Sequence, residues 1–505
     1  MPWLIALFVL ACFAPALSQS PVPSSASDAT KDALSAANAL FKQGKFQESA
    51  AAYVEILKKD SSSAQAYAGA VKSYLKADDV KAADENSQRA LAALPQSALA
   101  HAMRGDVYFR QALMPESERE YRTALKLDDK CARAWLGIGR LNSAASRRHS
   151  AKQSFTKAHE LEPQDGDILY YWAQRLPYPQ NVTELEKHLA EYHSDPDKER
   201  AEREYIGFIK NLAGRRIWVP ARPVEQAEIK METLLFRPRA PQRGFGLRVR
   251  FNDQTSSSLL LDTGASGVTI KRKLAEKIGA ARLSDLTMKG VGDSGPVSGY
   301  DAWVDKVTIG DLEFHDCVVH VSTKDNFGEE DGFIGANIFE DYLVTLDFPA
   351  GKVRLAPLPK RSDDADEHRP ADLQSFTQVF SFGHLLLMPT NVGDTASGLF
   401  ALDTGALTNS MSPAMARQVG KVHDSNIHVR GVSGAVKDVY TADKALLQFS
   451  HFRQSNEEMV TFDVSPLSKT IGTEVSGFIG FTTLKKLKIM IDYRDGLVDF
   501  DYKGE

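Results

Sequence analysis

The sequence predicts a multidomain fold, in which an all-α repeat array is followed by an all-β domain of two similar lobes. Three observations lead to this fold class. Similar residues recur every 34 positions in the first third of the chain, polar and apolar residues alternate in the second half, and two stretches of that half match each other. At 505 residues the chain is too long for one ordinary core, so we expect two or three domains.

The composition is that of a soluble globular protein, with 43% hydrophobic and 25% charged residues. The formal net charge of −5 gives no indication of a nucleic-acid partner or of binding to an anionic membrane. The three cysteines, Cys12, Cys131 and Cys317, are too few for a disulfide framework and lack the Cys-x-x-Cys spacing of a zinc site. We therefore expect neither a metal nor another cofactor.

The N-terminus begins with an uncharged apolar stretch, residues 3–17, that is too short to span a bilayer. Small residues next to Ser18 resemble a signal-peptidase site, so residues 1–18 are predicted to be a signal peptide and the protein to be exported. In a bacterium the destination is the periplasm or the extracellular space. A second interpretation stays open: Val9-Leu10-Ala11-Cys12 resembles a lipobox, whose use would lipidate Cys12 and anchor the protein to a membrane.

A helical region with a period of 34 residues follows. One set of positions in this period is Tyr53, Ser87, Tyr121 and Phe155. Together with glycines at the same offset, such as Gly105 and Gly139, this set resembles the tetratricopeptide repeat, in which small residues let paired helices approach. The resemblance implies a solenoid of four repeats over residues 31–164 that binds a protein partner. Because each repeat of a solenoid is buried by its neighbours, we expect the array to fold on its own.

Residues 165–214 continue the helical pattern and are predicted to form a cap and a linker. From Glu228 onward the pattern changes to alternation and frequent turn residues, which indicates β structure. Within this part, the segment LLLDTGASGVTIKRKLAEKIG, which begins at Leu259, matches FALDTGALTNSMSPAMARQVG, which begins at Phe400. A Gly-Phe-Ile-Gly sequence follows each segment. The common order predicts an internal duplication, with lobe 1 at 225–355, a linker at 356–373 and lobe 2 at 374–505.

Apolar-apolar-Asp-Thr-Gly-Ala followed by Gly-Phe-Ile-Gly resembles the lobe of aspartic peptidases, and the alanine after Asp-Thr-Gly is closer to the retropepsin-like (retroviral) type. The resemblance covers residues 228–503. It implies two lobes related by a pseudo-twofold axis, with Asp262 and Asp403 as the catalytic pair. It also implies residues that support the pair by hydrogen bonds between the lobes and by close approach of the backbone: Thr263, Gly264, Thr404 and Gly405.

Two neighbouring carboxylates suit peptide hydrolysis, because they cannot both ionise easily and therefore share a proton. Such a pair can hold a water molecule, deprotonate it for attack on an amide carbonyl and return a proton. The sequence thus predicts an exported aspartic endopeptidase that acts on peptides or proteins. Asp347 and Asp492 each precede a closing hairpin, so we interpret them as turn residues.

The resemblance also implies a glycine-bearing flap in each lobe, 28 residues after each aspartate. The candidate flap glycines are Gly290, Gly292, Gly431 and Gly434. Two alternatives remain open at this point. An inactive peptidase fold could serve as a binding or scaffold protein, and the lobes could pair within one chain or between two chains. The predicted linker is long enough for pairing within one chain.

Overall fold

The computed structural model describes residues 28–236, 239–324, 330–361 and 371–502. The predicted signal peptide, including Cys12, lies outside these ranges, as does the middle of the predicted linker at 362–370. In the described part of the chain, no helix has both the length and the apolar character that crossing a bilayer requires.

The first part of the described chain consists of helices joined by short loops. Its eleven helices are α1 (Asp28–Lys42), α2 (Phe46–Lys59), α3 (Ala64–Lys76), α4 (Val80–Ala93), α5 (Ala98–Arg110), α6 (Met114–Leu127), α7 (Ala132–Ala144), α8 (Arg148–Leu161), α9 (Gly166–Ala173), α10 (Gln180–Glu191) and α11 (Pro196–Leu212). Helices α1 to α8 pack in order as four hairpins, and α9 to α11 extend the array. This is the all-α region that the 34-residue period predicts.

Close packing between hairpins depends on glycines that face aromatic rings. The ring of Tyr121 is fully buried, and a Cβ atom placed on Gly105 would lie 2.6 Å from it. One repeat later, a Cβ on Gly139 would lie 2.5 Å from the buried ring of Phe155. Such separations are far below van der Waals contact, so each ring fills space that only a glycine leaves open.

The remainder of the chain is mostly β structure. Lobe 1 contains β1 (Val219–Pro220), β2 (Ala227–Leu235), β3 (Gln242–Phe251), β4 (Thr255–Leu261), β5 (Val268–Lys271), α12 (Arg272–Lys277), β6 (Ala281–Met288), β7 (Val297–Ile309), β8 (Leu312–Ser322), β9 (Gly332–Ile334), β10 (Tyr342–Asp347) and β11 (Lys352–Pro357). Two 3₁₀ turns lie at Ala336–Phe339 and Ala371–Leu373. The predicted end of lobe 1 at residue 355 is wrong by two residues, because β11 continues to Pro357 in antiparallel pairing with β10.

Lobe 2 repeats this order of elements. It contains β12 (Thr377–Gln378), β13 (Phe380–Phe382), β14 (Leu385–Val392), β15 (Ala396–Asp403), β16 (Ser410–Met411), α13 (Pro413–Val419), β17 (Val422–Asp424), β18 (Arg430–Gly431), β19 (Gly434–Ala435), β20 (Val439–Ala442), β21 (Ala445–Phe449), β22 (Phe452–Asn456), β23 (Met459–Phe462), α14 (Ser465–Ile471), β24 (Gly477–Gly480), α15 (Phe481–Leu484), β25 (Lys488–Asp492) and β26 (Leu497–Asp501). The bilobal architecture is confirmed, although four short helices, α12 to α15, interrupt the predicted all-β pattern.

The closing hairpins of the two lobes join into one sheet. Strand β10 of lobe 1 pairs antiparallel with β25 of lobe 2, so that Val344 lies opposite Ile491. The strand order through this region is β12-β26-β25-β10-β11-β2. Each hairpin turn is closed by its aspartate, since Asp347 accepts from the backbone N–H of Ala350 and Asp492 accepts from that of Asp495. The lobes are therefore tied together by main-chain hydrogen bonds away from the Asp-Thr-Gly turns.

One apolar cluster joins the repeats to lobe 2. Its large buried members are Phe109, Met114, Tyr121, Leu141, Leu385, Leu387, Leu399, Phe462 and Phe478. The ring of Phe109 meets that of Phe382 edge-on with 6.1 Å between centroids, and Thr473 Oγ1 donates to the carbonyl of Phe109 at 2.7 Å. The helical array thus shares a core with lobe 2, which a solenoid expected to fold independently does not anticipate.

Helix α11 makes a second connection, to lobe 1. The carboxylate of Glu204 accepts from both the backbone N–H and the hydroxyl of Thr287, at 2.8 and 2.7 Å. Asn211 Nδ2 donates to the carbonyl of Leu283 at 2.6 Å. Both partners lie on β6, the strand that leads into the Gly290 segment. The helical region therefore contacts each lobe of the β domain.

The shared core predicts that a substitution in the repeats loosens lobe 2. Phe109→Ala should lower the free energy of unfolding by about 3–5 kcal/mol, because it removes a buried ring and leaves a cavity. Hydrogen exchange should become faster in β13 and β14 as well as in α5. Phe46→Ala, in the first repeat, is the matched control and should leave the lobe 2 strands unchanged. Unaltered exchange in β14 of the Phe109→Ala protein would contradict a common core.

Candidate active site

Two Asp-Thr-Gly turns meet at the boundary between the lobes. Asp262 directly follows β4, and Asp403 is the last residue of β15. The residues before each aspartate are buried and apolar, which fixes where the strand ends. Beneath each turn runs the Gly-Phe-Ile-Gly strand in parallel pairing: Leu261 lies beside Ile334, and Leu402 beside Ile479. Both carboxyls therefore project from strand ends that are buried on both sides.

The two threonines exchange hydrogen bonds across the boundary. The backbone N–H of Thr263 donates to Oγ1 of Thr404, and that of Thr404 donates to Oγ1 of Thr263, both at 3.0 Å. Each hydroxyl in turn donates to a carbonyl of the opposite lobe at 2.8 Å, Thr263 to Leu402 and Thr404 to Leu261. Both threonines are buried. The turns are thus held in one relative position by four hydrogen bonds within a single chain.

The glycines of the turns let the opposite carboxyl approach. A Cβ atom on Gly264 would lie 2.7 Å from Cγ of Asp403, and one on Gly405 would lie 2.5 Å from Cγ of Asp262. Any side chain at either position would push the carboxyls apart. The structure therefore brings together all six residues that the sequence assigns to the pair and its support.

The environment keeps at least one carboxyl protonated near neutral pH. Burial, followed by the neighbouring Asp403, raises the pKa of Asp262 to about 8. Burial also raises the pKa of Asp403, but hydrogen bonds from the backbone oppose this effect. The N–H groups of Gly405 and Ala406 both donate to Asp403 Oδ1, at 2.8 and 2.9 Å, whereas Asp262 Oδ1 accepts from Gly264. The geometry therefore favours a proton on Asp262 and a charge on Asp403.

The four predicted flap glycines lie where the two flap segments meet. The backbone N–H groups of Asp293 and Ser294 donate to the carbonyls of Ala435 and Ser433, at 3.0 and 2.8 Å, and Ser433 N–H donates to the carbonyl of Val291 at 3.0 Å. A Cβ atom on Gly431 would lie 2.5 Å from this last carbonyl oxygen. Close contact at the same junction involves Gly290, Gly292 and Gly434.

Two residues of the site were missed by sequence reasoning. Arg243 Nη1 donates to the carbonyl of Gly405 at 3.0 Å, and His384 Nε2 bonds the carbonyl of Gly264 at 2.9 Å. Because a carbonyl only accepts, His384 carries its proton on Nε2, and burial lowers its pKa, which keeps the ring neutral. The signal was present in the sequence: Arg243 and His384 are 141 residues apart, as Asp262 and Asp403 are.

Other titratable side chains serve the structure of lobe 1. His320 Nδ1 pairs with Asp301 Oδ1 at 2.7 Å, and Ser284 donates to the other oxygen of Asp301 at 2.8 Å. Cys317 is a buried free thiol whose pKa is raised by burial. Among the described residues, no group of three His, Cys, Asp or Glu side chains is arranged to hold a metal ion.

Comparison with known proteins agrees with this geometry. The family model for the aspartyl protease matches residues 247–338, which include Asp262, and a tetratricopeptide-repeat model matches residues 34–98. An aspartyl protease domain follows tetratricopeptide repeats. No curated protein matches the chain.

Solved structures to which the chain is similar are repeat proteins. A tetratricopeptide repeat protein from Parabacteroides merdae is 19% identical, with 36% of this chain and 72% of that chain covered and a TM-score of 0.25. A thermophilic repeat protein from Thermus thermophilus is 18% identical, with 34% of this chain and 98% of that chain covered and a TM-score of 0.28.

The raised pKa in the aspartyl protease domain predicts a pH-dependent cost in stability. The folded protein holds a proton on Asp262 up to about pH 8, whereas an unfolded chain releases it near pH 4. Raising the pH through this window therefore destabilises the fold. Asp262→Asn should unfold at a higher temperature than the original protein at pH 8, with the difference disappearing near pH 4. Asp285→Asn, at an exposed carboxylate, is the control. Equal melting temperatures at every pH would contradict the buried pair.

Proposed function

We propose that this protein is an exported aspartic endopeptidase, which hydrolyses peptide bonds with a water molecule activated between Asp262 and Asp403. The observation that carries the proposal is the contact between two buried carboxyls, held by reciprocal hydrogen bonds of Thr263 and Thr404. The match of residues 247–338 to the aspartyl protease model supports it from the side of the sequence.

The unequal environments of the two carboxyls suggest a division of roles. Asp403, which accepts two backbone N–H groups, acts as the base and takes a proton from water as its oxygen attacks the carbonyl carbon. Asp262 gives its proton to the carbonyl oxygen, which yields a neutral tetrahedral diol. When the C–N bond breaks, the proton on Asp403 passes to the leaving nitrogen and a diol hydroxyl returns a proton to Asp262. The pair then regains its starting state with one shared proton.

Protein binding by the repeats is part of the proposal, but some of their polar groups already have partners within the chain. Lys72 pairs with Asp165 at 2.5 Å, and Arg133 pairs with Asp106 and Asp167, each at 2.6 Å. These ion pairs connect the first helices of the repeats to the start of α9. Proteins with tetratricopeptide repeats commonly bind other proteins, and here the repeats bind lobe 2 of their own chain. A separate partner would use the surface that remains.

Replacement of either aspartate should abolish cleavage. Asp262→Asn and Asp403→Asn should each lower kcat by about 10²–10⁴-fold on a mixed peptide library, because neither carboxyl can move the protons alone. A pepstatin-like inhibitor should block the original protein, and Asp285→Asn should cut as well as it does. Substantial activity in either Asn variant would remove the assignment. No cleavage by the original protein would favour the inactive binding fold.

Mixing the two inactive variants tests whether the site forms within one chain. An equimolar mixture of Asp262→Asn and Asp403→Asn chains should stay inactive, since each chain holds both of its lobes in contact through Thr263 and Thr404. Recovery of activity on mixing would mean that lobes of different chains pair.

The pH dependence of cleavage should follow the proton on the pair. Activity needs that proton, and the pKa of Asp262 is raised to about 8, so kcat/KM should persist through neutral pH and fall as the pH rises beyond about 8. The measurement is the initial rate of cleavage between pH 3 and pH 10. A decline that begins near pH 5 would indicate that the carboxyls are not buried together.

A further inference from the structure

Equivalent positions of the two lobes carry different side chains beside the aspartates. Arg243 in lobe 1 and His384 in lobe 2 are separated by the same 141 residues as the two aspartates, and each bonds the glycine carbonyl of the opposite Asp-Thr-Gly turn. The guanidinium is a permanent cation, whereas the imidazole is neutral. The surroundings of the pair are therefore symmetric in backbone but asymmetric in charge.

The guanidinium of Arg243 has donors to spare. It carries five N–H groups, and its hydrogen bond to Gly405 uses one of them. Among the described residues, no Asp or Glu lies within ion-pair distance of it. Its apolar neighbour is the exposed ring of Phe236, with 5.7 Å between Cζ and the ring centroid. The charge is close enough to the carboxyl pair to lower the pKa of both aspartates.

We propose that Arg243 binds a carboxylate of the substrate, either an acidic side chain close to the scissile bond or a free C-terminus. An arginine with a fixed fork of donors and no carboxylate partner is suited to bidentate pairing with such a group. The inference rests on the proposed function in taking the occupant to be a peptide. Because His384 offers no cation at the equivalent place, the carboxylate is bound on one side of the pseudo-twofold axis and sets the direction in which the peptide lies.

Retention of peptides tests this without any need for catalysis. Protein carrying Asp262→Asn is immobilised and exposed to random decapeptides, half with free and half with amidated C-termini. Retained peptides should be enriched about tenfold in carboxylates, and the added Arg243→Gln substitution should remove the enrichment. Arg250→Gln is the matched control, since Arg250 is an exposed arginine of the same strand β3.

The outcomes separate the two sources of the carboxylate. Enrichment of Asp and Glu in both halves of the library assigns the site to an acidic side chain, and enrichment confined to free C-termini assigns it to the terminal carboxylate. Equal retention of acidic and neutral peptides, or enrichment that survives Arg243→Gln, overturns the inference. Since retention needs no cleavage, loss of the proposed peptidase activity would be recognised separately.

Exchange of the two side chains tests the direction of binding. In the original protein, products of a mixed peptide library should show acidic residues on one side of the cleaved bond. In the doubly substituted protein, Arg243→His with His384→Arg, they should move to the other side at the same distance. Acidic residues that stay on the original side would mean that Arg243 only supports Gly405. Where the exchanged protein does not fold, the retention experiment with Arg243→Gln decides.

Discussion

The exchange of hydrogen bonds between Thr263 and Thr404 is the constraint on which the rest of the site depends. Each hydroxyl accepts from the opposite backbone and donates to the opposite strand, so removal of one leaves a buried N–H and a buried carbonyl without partners. Such losses cost about 1–3 kcal/mol for each group. The contact of the carboxyls, the fit of the glycines against them and the bonds of Arg243 and His384 all require this one relative position.

The helical region extends the same constraint outward. The apolar cluster around Phe109 holds lobe 2, while Glu204 and Asn211 of α11 hold β6 of lobe 1. The lobes are thus connected three times: by the threonines at the centre, by the pairing of β10 with β25, and by a helical array that contacts both. A domain boundary drawn between repeats and peptidase separates them along the chain, yet the two parts are energetically one body.

Much of this arrangement could be predicted, because repetition leaves its period in the sequence. The 34-residue spacing gives the helical hairpins, and the spacing of 141 between Asp262 and Asp403 gives the paired turns. The turn roles of Asp347 and Asp492 also follow from their place before each hairpin. Arg243 and His384 escaped because different residue types occupy equivalent positions, so only the offset marks them. The shared core escaped because a repeat motif describes packing between neighbouring repeats and not the surface that meets another domain.

The junction of the two flaps has a consequence for how often the site can be reached. Parting them breaks three backbone hydrogen bonds, those of Asp293, Ser294 and Ser433. At about 1 kcal/mol net for each bond, the open form lies about 3 kcal/mol higher and is populated about 1% of the time. For a peptide that reaches the carboxyls between the flaps, the apparent dissociation constant is then about a hundredfold weaker than the intrinsic one. Encounter with substrate is therefore limited by a gating equilibrium that the glycine-rich tips set.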